Sequence, residues 1–241
     1  MQASPKVTVV TGGSRGIGAA TCRRLATDGH DIVIGYAADR EAAETVADAV
    51  RAAGRRAEVC RADVTIADDV RELFDRAATL GAVTGLVNNA GVITGRGAFV
   101  GLTESDLRRV VEVNIVGAML CAQEAVRRMG SGGAIVNVSS AASTLGSPGE
   151  YVHYAASKAA VDTLTIGLSK ELGPAGIRVN AVSPGIIRTE IHEAGRVERL
   201  GPQQPLGRAG DPEEVAAAIA WLLSDEASYV TGTNLRVAGG R

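Results

Sequence analysis

Short apolar segments alternate with longer amphipathic segments along the whole chain. KVTVV (6–10) precedes a glycine-rich loop and a stretch with helical spacing, and DIVIG (31–35) precedes another such stretch. The apolar segments that follow are RAEVCRAD, GLVNNAG, GAIVNVSS, IRVNAVSPG and TNLRVAGG. Strands that alternate with helices form parallel sheets with helices on both faces, and their buried strands are continuously apolar. The pattern predicts one α/β domain over 1–241, a Rossmann-type doubly wound parallel sheet of about seven strands.

Two long segments complete this organisation. A helical pattern runs from 103 to 128, and we expect one continuous helix there. The segment 184–211 breaks the alternation, because it contains three of the seven prolines, Pro184, Pro202 and Pro205. A long irregular segment inside an α/β domain is more often functional than accidental. We therefore predict a substrate lid over 184–211.

Composition narrows the functional classes. The net charge of −2 gives no electrostatic reason to expect binding to nucleic acid or to an anionic membrane. No apolar run approaches the ~18 residues that a membrane-spanning helix needs. The cysteines Cys22, Cys60 and Cys121 lack the spacing of a metal or redox motif, which is typical of buried thiols in a reducing compartment. We expect a cytoplasmic protein without a metal site.

The loop TGGSRGIG (11–18) connects the first predicted strand to the first helix. Glycines in such a loop permit a tight turn and let the backbone approach a pyrophosphate. The following helix N-terminus offers unpaired N–H groups to the phosphates. A glycine cluster alone is weak support, but its place between a strand and a helix indicates a dinucleotide site.

The segment YVHYAASK (151–158) contains three side chains able to move a proton: Tyr151, His153 and Tyr154. Only Tyr154 has a cation four residues later, at Lys158, on the same helix face. A nearby ammonium, together with the positive nicotinamide of an oxidised dinucleotide, stabilises a phenolate and lowers its pKa from the usual ~10. We therefore predict Tyr154 as the general acid/base. Tyr151 and His153 either line the pocket or face solvent.

Ser140 ends the fifth predicted strand, and ligands of open α/β sheets bind beyond the carboxyl ends of the strands. We expect its hydroxyl to donate to a substrate carbonyl, as an uncharged form of an oxyanion-hole donor. Ser139 points to the opposite face of the strand.

Seven motifs, taken in chain order, resemble those of the short-chain dehydrogenase/reductase family. They are TGGSRGIG, Asp63-Val64, NNAG (88–91), Asn114, Ser140 in NVSS, Tyr154 and Lys158 in YAASK, and SPG (183–185). The first half is similar to 3-oxoacyl-(acyl-carrier-protein) reductases. The resemblance implies a homotetramer joined through helices 103–128 and 154–173 and the last strand.

The resemblance also implies the site residues. The catalytic residues would be Asn114, Ser140, Tyr154 and Lys158, with Asn114 binding a water that joins Lys158 to solvent or, alternatively, pinning a bent helix. The implied dinucleotide contacts run from the glycine loop to the sixth strand. They are Gly12, Ser14, Arg15, Gly16, Ile17, Gly18, Tyr36, Asp63, Val64, Asn88, Ala90, Gly91, Tyr154, Lys158, Pro184, Gly185 and Thr189. In that arrangement Asp63 binds the adenine, Asn88 lies beside the adenosine ribose, and Pro184, Gly185 and Thr189 contact the nicotinamide end.

The end of the second strand distinguishes the two nicotinamide cofactors. An NAD site places a carboxylate there, whereas this chain has Tyr36 followed by two alanines. Arg15 is able to pair with a ribose 2′-phosphate, and Ser14 is able to donate to it. NADP(H) is favoured. NAD(H) stays the alternative, because a shifted loop would aim Asp39 at the ribose.

The sequence therefore predicts an oxidoreductase that transfers a hydride between NADP(H) and a small-molecule carbonyl or secondary alcohol. An NAD-dependent sugar or alcohol dehydrogenase is one alternative, and a non-catalytic cofactor-binding regulator is another. The complete catalytic set favours the enzyme. The substrate stays open among thioesters, sugars, polyols, steroids and other ketones. For a carrier-protein substrate, the pair Arg127–Arg128 is the candidate docking patch.

Overall fold

The structure, a computed structural model, describes residues 6–241. At the centre of these residues lies a parallel sheet of seven strands. The strands are β1 Lys6–Val10, β2 His30–Tyr36, β3 Ala57–Arg61, β4 Val83–Asn88, β5 Gly133–Val138, β6 Ile177–Pro184 and β7 Asn234–Val237. They lie in the order β3-β2-β1-β4-β5-β6-β7. The strand order runs outward in opposite directions from β1 and from β4, and sheets of this kind form a ligand-binding crevice at that point.

Helices cover both faces of the sheet. They are α1 Gly16–Thr27, α2 Arg40–Ala52, α3 Ala67–Leu80, α4 Glu104–Val111, α5 Ala118–Met129, α6 Ala142–Leu145, α7 Val152–Leu172, α8 Arg196–Leu200 and α9 Pro212–Leu223. Side chains of α1, α2 and α9, among them Leu25, Val46 and Ile219, pack in the apolar core on one face. The core on the other face contains Phe74 and Cys121, from α3 and α5. The predicted single-domain architecture is confirmed.

The helical stretch predicted over 103–128 is right in extent and wrong in continuity. A π-helical segment, Glu112–Gly117, separates α4 from α5. It holds Asn114, whose Oδ1 accepts from the Val92 N–H at 2.8 Å and whose Nδ2 donates to the Val92 carbonyl at 3.0 Å. A π turn re-aims a side chain relative to a regular helix, and such turns often occur at functional sites.

The segment 184–211 contains no long helix, as the prolines predicted. It leaves the end of β6, forms the five-residue helix α8 and continues as a 3₁₀ turn over Gly201–Gln203. Its ends are held together, because the Arg188 N–H donates to the Gly210 carbonyl at 3.0 Å and the Gly210 N–H donates to the Ile186 carbonyl at 2.9 Å. The segment is therefore a long loop whose two ends are hydrogen-bonded to each other beyond the end of β6.

A buried chain of polar side chains joins β4 and β5 to α7. Asn88 Nδ2 donates to Asn137 Oδ1 at 3.1 Å, and Asn137 Nδ2 donates to Thr165 Oγ1 at 2.9 Å. Thr165 Oγ1 in turn donates to the Val161 carbonyl at 2.9 Å. Buried polar groups need such partners, since an unpaired one loses its hydration without compensation.

We expect Thr165→Val to lower the free energy of unfolding by about 1–3 kcal/mol, because it leaves the buried Asn137 amide without an acceptor. Thr163→Val is the matched control, since Thr163 is exposed on the same helix. It should change stability by less than about 0.5 kcal/mol. Chemical denaturation measures both values, and equal losses would contradict the assigned role of the polar chain.

Candidate active site

One cleft opens at the carboxyl ends of the strands, and most of the predicted site residues line it. They are Gly12, Ser14, Arg15, Gly16, Ile17, Tyr36, Asp63, Val64, Ala90, Gly91, Ser140, Tyr154, Lys158, Pro184, Gly185 and Thr189. The glycine loop and the N-terminus of α1 form one end. The first turns of α7 and the start of the segment 184–211 form the other.

Two predicted cofactor residues do not line the cleft. Gly18 lies beneath the loop, where a Cβ would stand 2.3 Å from the Gly12 carbonyl oxygen, so glycine is needed for the close packing of α1. Asn88 was predicted beside the ribose, but its side chain points into the protein. Its amide donates to the Ala118 carbonyl at 3.0 Å and to Asn137, because the pairing of β4 with β5 turns it inward.

Asn89 lines the cleft in the place expected for Asn88, and the sequence reasoning missed it. Its Nδ2 donates to the Thr11 and Gly12 carbonyls at 3.0 and 2.9 Å, which fixes the glycine loop. The signal that was available is strand alternation, since adjacent residues of a strand face opposite sides.

Asn114 lies behind the cleft rather than in its wall. Besides its two bonds to Val92, its Nδ2 donates to Ser157 Oγ at 3.0 Å. A Cβ on Gly91 would stand 3.4 Å from Asn114 Oδ1 and 3.3 Å from Lys158 Nζ, so both atoms border the same space beside Gly91. The alternative expectation, that Asn114 pins an irregular helix, matches this geometry. The water relay stays a prediction.

Ser140, Tyr154 and Lys158 meet in the cleft wall. Tyr154 is 8% exposed and Lys158 is 4% exposed. Lys158 Nζ lies 5.8 Å from the centre of the Tyr154 ring and donates to the Val138 carbonyl at 2.8 Å. The Ser140 hydroxyl accepts the Ala142 N–H at 3.1 Å and lies close enough to Tyr154 to act on the pKa of its phenol. Ser139 turns to the opposite side, as predicted, and donates to the Lys158 carbonyl at 3.2 Å.

Burial sets the protonation of this pair. It raises the pKa of Tyr154 to about 12, against the opposing effect of the Ser140 hydrogen bond. It also lowers the pKa of Lys158 to about 8, because desolvation disfavours the ammonium. Lys158 alone therefore does not lower the tyrosine pKa, since the loss of hydration dominates and the ammonium donates to the Val138 carbonyl. The lowering expected from Lys158 together with the cationic nicotinamide stays a prediction. Tyr154 keeps its proton at neutral pH.

The other two proton-moving candidates have different surroundings. Tyr151 lines the cleft and packs edge-on against Tyr154, with ring centres 5.9 Å apart. His153 does not line the cleft, because its Nε2 lies 2.5 Å from the Thr94 carbonyl. Both side chains are buried. The pocket role is thus right for Tyr151 and wrong for His153, and the solvent-facing alternative is wrong for both.

An ion pair that the sequence did not reveal joins the segment 184–211 to the start of α7. Arg196 donates through both terminal nitrogens to Glu150, at 2.9 and 2.7 Å, and its guanidinium carbon lies 5.0 Å from the centre of the Tyr151 ring. The hydrogen bonds from Arg196 lower the pKa of Glu150 to about 2. These residues are 46 positions apart, so no local spacing indicates the contact.

The glycine-loop end of the cleft fits a phosphate-bearing cofactor. The α1 N-cap residue, Arg15, forms no side-chain cap, so N–H groups of the first turn are left for a ligand. Within residues 6–241 the Arg15 guanidinium has no ion-pair partner. Asp63 is held by Thr65, whose N–H and hydroxyl donate to it at 3.0 and 2.7 Å.

Two other kinds of site find no support in the described residues. Over 6–241, no group of three or more His, Cys, Asp and Glu side chains is placed to hold a metal ion. No helix in that range is long and apolar enough to cross a membrane.

Comparison with known proteins places this geometry in a family. The family model described as enoyl-(acyl carrier protein) reductase matches residues 12–241. The uncharacterized oxidoreductase YgfF of Escherichia coli is 49% identical, over 98% of this chain and 99% of its own. The 3-oxoacyl-[acyl-carrier-protein] reductase FabG of Staphylococcus aureus is 36% identical, over 98% and 97%. A short chain dehydrogenase from Burkholderia cenocepacia, solved in complex with NADP, superposes with a TM-score of 0.93 at 38% identity, covering 98% and 97%. The chain therefore belongs to the short-chain dehydrogenase/reductase family of NAD(P)-dependent oxidoreductases.

Proposed function

We propose that the chain interconverts a small-molecule carbonyl and a secondary alcohol with NADP(H), and that Tyr154 is its general acid/base. The observation that supports this most is that Ser140 and the buried Tyr154 and Lys158 lie in the wall of one cleft, whose far end is an uncapped helix N-terminus. A regulator that only binds a cofactor has no need of a proton donor beside a cation in that wall.

The residues of the chain divide the chemistry between them. The nicotinamide, when bound, supplies or accepts the hydride. Tyr154 holds the proton that an alkoxide forming from a carbonyl requires, because burial keeps its hydroxyl protonated at neutral pH. The Ser140 hydroxyl orients the tyrosine and donates to the carbonyl oxygen. The Lys158 ammonium favours the tyrosinate that is left after proton transfer.

Tyr154→Phe should lower kcat/KM by about 10²–10⁴-fold, because it removes the proton donor and leaves the cleft walls in place. NADPH binding, followed by fluorescence titration, should stay within a few-fold of wild type. Tyr151→Phe is the control, since Tyr151 lines the same cleft, and it should mainly change the choice of ketone. Full activity in Tyr154→Phe would refute the assignment.

Lys158 should impose a pH dependence on carbonyl reduction. Its pKa is lowered to about 8, so the ammonium predominates below that pH and is lost as pH rises through it. We expect kcat/KM for reduction to fall above about pH 8, and alcohol oxidation, which needs the tyrosinate, to rise with pH. Lys158→Arg keeps its charge and should lose the decline in reduction. A wild-type profile that stays flat to pH 10 would exclude this role for Lys158.

NADP(H) is proposed over NAD(H) on the arrangement at the end of β2. Asp39, the reason for the alternative, caps α2, because its Oδ1 accepts the Ala42 N–H at 2.9 Å. Tyr36 ends β2 and lines the cleft in place of a carboxylate. The exposed Arg15 also lines the cleft, and its guanidinium has no ion-pair or hydrogen-bond partner in the described residues. The NADP complex of the Burkholderia relative supports the same choice.

Arg15→Ala should raise KM for NADPH by about tenfold or more and change KM for NADH little, because a charged hydrogen bond to the 2′-phosphate is lost. Arg23→Ala is a matched control on the same helix, where Arg23 lies 3.7 Å from Glu213. Steady-state kinetics with both cofactors measures the effect. A wild-type preference for NADH that Arg15→Ala leaves unchanged would reverse the cofactor assignment.

A free small molecule is proposed as substrate rather than a carrier-bound thioester. The candidate docking pair Arg127 and Arg128 is neutralised, since both contact the buried carboxylate of Glu124, at 3.0 and 2.9 Å. Arg128 also pairs with Asp75 at 2.8 Å. These residues therefore offer no free basic patch to an acidic carrier.

The assembly, the lid and the compartment also stay proposals. Exposed apolar side chains on the helices of the expected tetramer interfaces, Val111, Val116, Met119 and Ile166, support a homotetramer. The position of 184–211 beside Tyr151 supports a lid over the substrate. The three cysteines are free and buried, which supports a reducing, cytoplasmic setting.

A further inference from the structure

A buried ion pair joins chain segments that meet at the substrate end of the cleft. Arg196, on α8, donates to both carboxylate oxygens of Glu150, just before α7, at 2.9 and 2.7 Å. Arg96, in the segment after β4, donates to the same carboxylate at 3.1 Å, and the Gly97 N–H donates to the Glu150 carbonyl at 2.8 Å. Glu150 is therefore held through its side chain and its backbone, and it attaches the segment 184–211 to the start of α7.

Arg196 differs from the other arginine of α8. Its side chain is 4% exposed, whereas that of Arg199 is 50% exposed. Removal of a guanidinium from water is unfavourable unless a carboxylate compensates it, so the separation of a buried pair is costly. An exposed pair, such as that of Arg199 with Glu193 at 3.2 Å, contributes little. The contact of Arg196 with Glu150 is therefore the one that keeps α8 on α7.

The Arg196 guanidinium also packs on an aromatic pair. Its carbon lies 5.0 Å from the centre of the Tyr151 ring. The Tyr151 ring in turn meets the Tyr154 ring edge-on, with centres 5.9 Å apart and planes at 90°. Cation–π and edge-to-face contacts are attractive and depend on orientation. Tyr151 therefore contacts both the arginine of the segment 184–211 and the proposed acid.

The first turn of α7 has no side-chain cap. Tyr151 is the N-cap residue of this helix, and it makes no side-chain cap hydrogen bond. Such a cap usually stabilises the first turn, which in this helix carries Tyr154. The position of the turn consequently depends more strongly on the contacts that hold Glu150 and Tyr151 from outside the helix.

We propose that Arg196 is a positioning residue for Tyr154 and couples the seating of the segment 184–211 on α7 to proton transfer. When the segment is seated, Arg196 binds Glu150 and packs on Tyr151, and Tyr151 restricts the Tyr154 ring. When the segment lifts, Tyr151 loses this contact and the Tyr154 phenol loses its fixed orientation. This inference rests on the proposed function, since it takes Tyr154 as the general acid/base. A displacement of about 1 Å near reacting groups lowers a rate by as much as ~10²-fold, so a small movement of the ring is enough.

Steady-state kinetics tests the positioning role. Arg196→Met removes the charge and keeps a long side chain, and it should lower kcat about tenfold or more for the ketone that wild type reduces best, with NADPH affinity within about twofold. Arg196→Lys should recover part of kcat, because its ammonium still pairs with Glu150 and packs on Tyr151. Arg199→Met is the control on the same helix and should leave kcat unchanged. A raised KM for the ketone with an unchanged kcat means that Arg196 only holds the lid, and it overturns the proposal.

A double-mutant cycle tests the path through Tyr151. In a Tyr151→Ala background the intermediate ring is absent, so Arg196→Met should change kcat by less than about twofold. An equal loss of kcat with and without Tyr151 would mean that Arg196 acts directly on the substrate, and the positioning role would be wrong.

NMR separates this proposal from the activity on which it rests. The chain has four tyrosines, so labelling at the ring Cζ gives four signals, which single substitutions by phenylalanine assign. In the NADP⁺-loaded protein, Arg196→Met should shift or broaden the signals of Tyr151 and Tyr154 and leave that of the fully exposed Tyr229 unchanged. An unchanged Tyr154 signal overturns the proposal whether or not turnover is seen. A shifted Tyr154 signal in a protein that oxidises NADPH with no ketone keeps the coupling and refutes the reductase.

A second variant breaks the same contact from its other partner. Glu150→Gln weakens the pair with Arg196 without a change in the segment 184–211, and it should lower kcat and shift the same two tyrosine signals. Thermal denaturation verifies that each variant is folded. If Arg196→Met does not fold, Glu150→Gln gives the decisive result, and normal kcat with unshifted signals in that variant overturns the proposal.

Discussion

The attachment of α7 to β5 is the contact on which the site depends. Consecutive residues of the strand hold the helix: Asn137 donates to Thr165, Val138 accepts the Lys158 ammonium, and Ser139 donates to the Lys158 carbonyl. These bonds are buried, where a missing partner is expensive. The helix therefore has one rotation and one height relative to the sheet. That placement puts Tyr154 beside Ser140, which follows directly at the end of the same strand.

The spacing from Tyr154 to Lys158 predicted that the lysine lowers the tyrosine pKa. The same burial explains why the pKa of Tyr154 is raised instead. A phenol and an ammonium four residues apart on an exposed helix would stabilise each other's charged forms. In this wall both lose water, so the pKa of Tyr154 rises and that of Lys158 falls. The result is a protonated phenol beside an ammonium group whose charge is sensitive to pH. In the oxidative direction, tyrosinate needs the cationic nicotinamide in addition to Lys158.

Local patterns predicted much of the fold and of the cofactor cleft, since strand alternation, the glycine loop and the spacing from Tyr154 to Lys158 lie within single elements. Features decided by contacts between elements were not predictable. The inward turn of Asn88 depends on its pairing with β5, and the π segment around Asn114 depends on the loop it binds. The bond between Glu150 and Arg196 joins residues 46 positions apart.

This contrast between local patterns and contacts between elements explains why the sequence predicted the class of reaction but not the substrate. Most of the groups that handle the cofactor and the proton lie directly after the strands or on the first turns of α1 and α7, where the local sequence sets the geometry. The substrate end is assembled from the residue before α7, the irregular segment 184–211 and the turn after β7, which meet through Arg196 and through Gly240 against Pro205. We expect changes in any one of them to shift Arg196 relative to Tyr154, since the Arg196 side chain is held by its contacts with Glu150 and Tyr151 across the junction. We therefore expect the substrate preference of this chain to depend on the junction between these three segments.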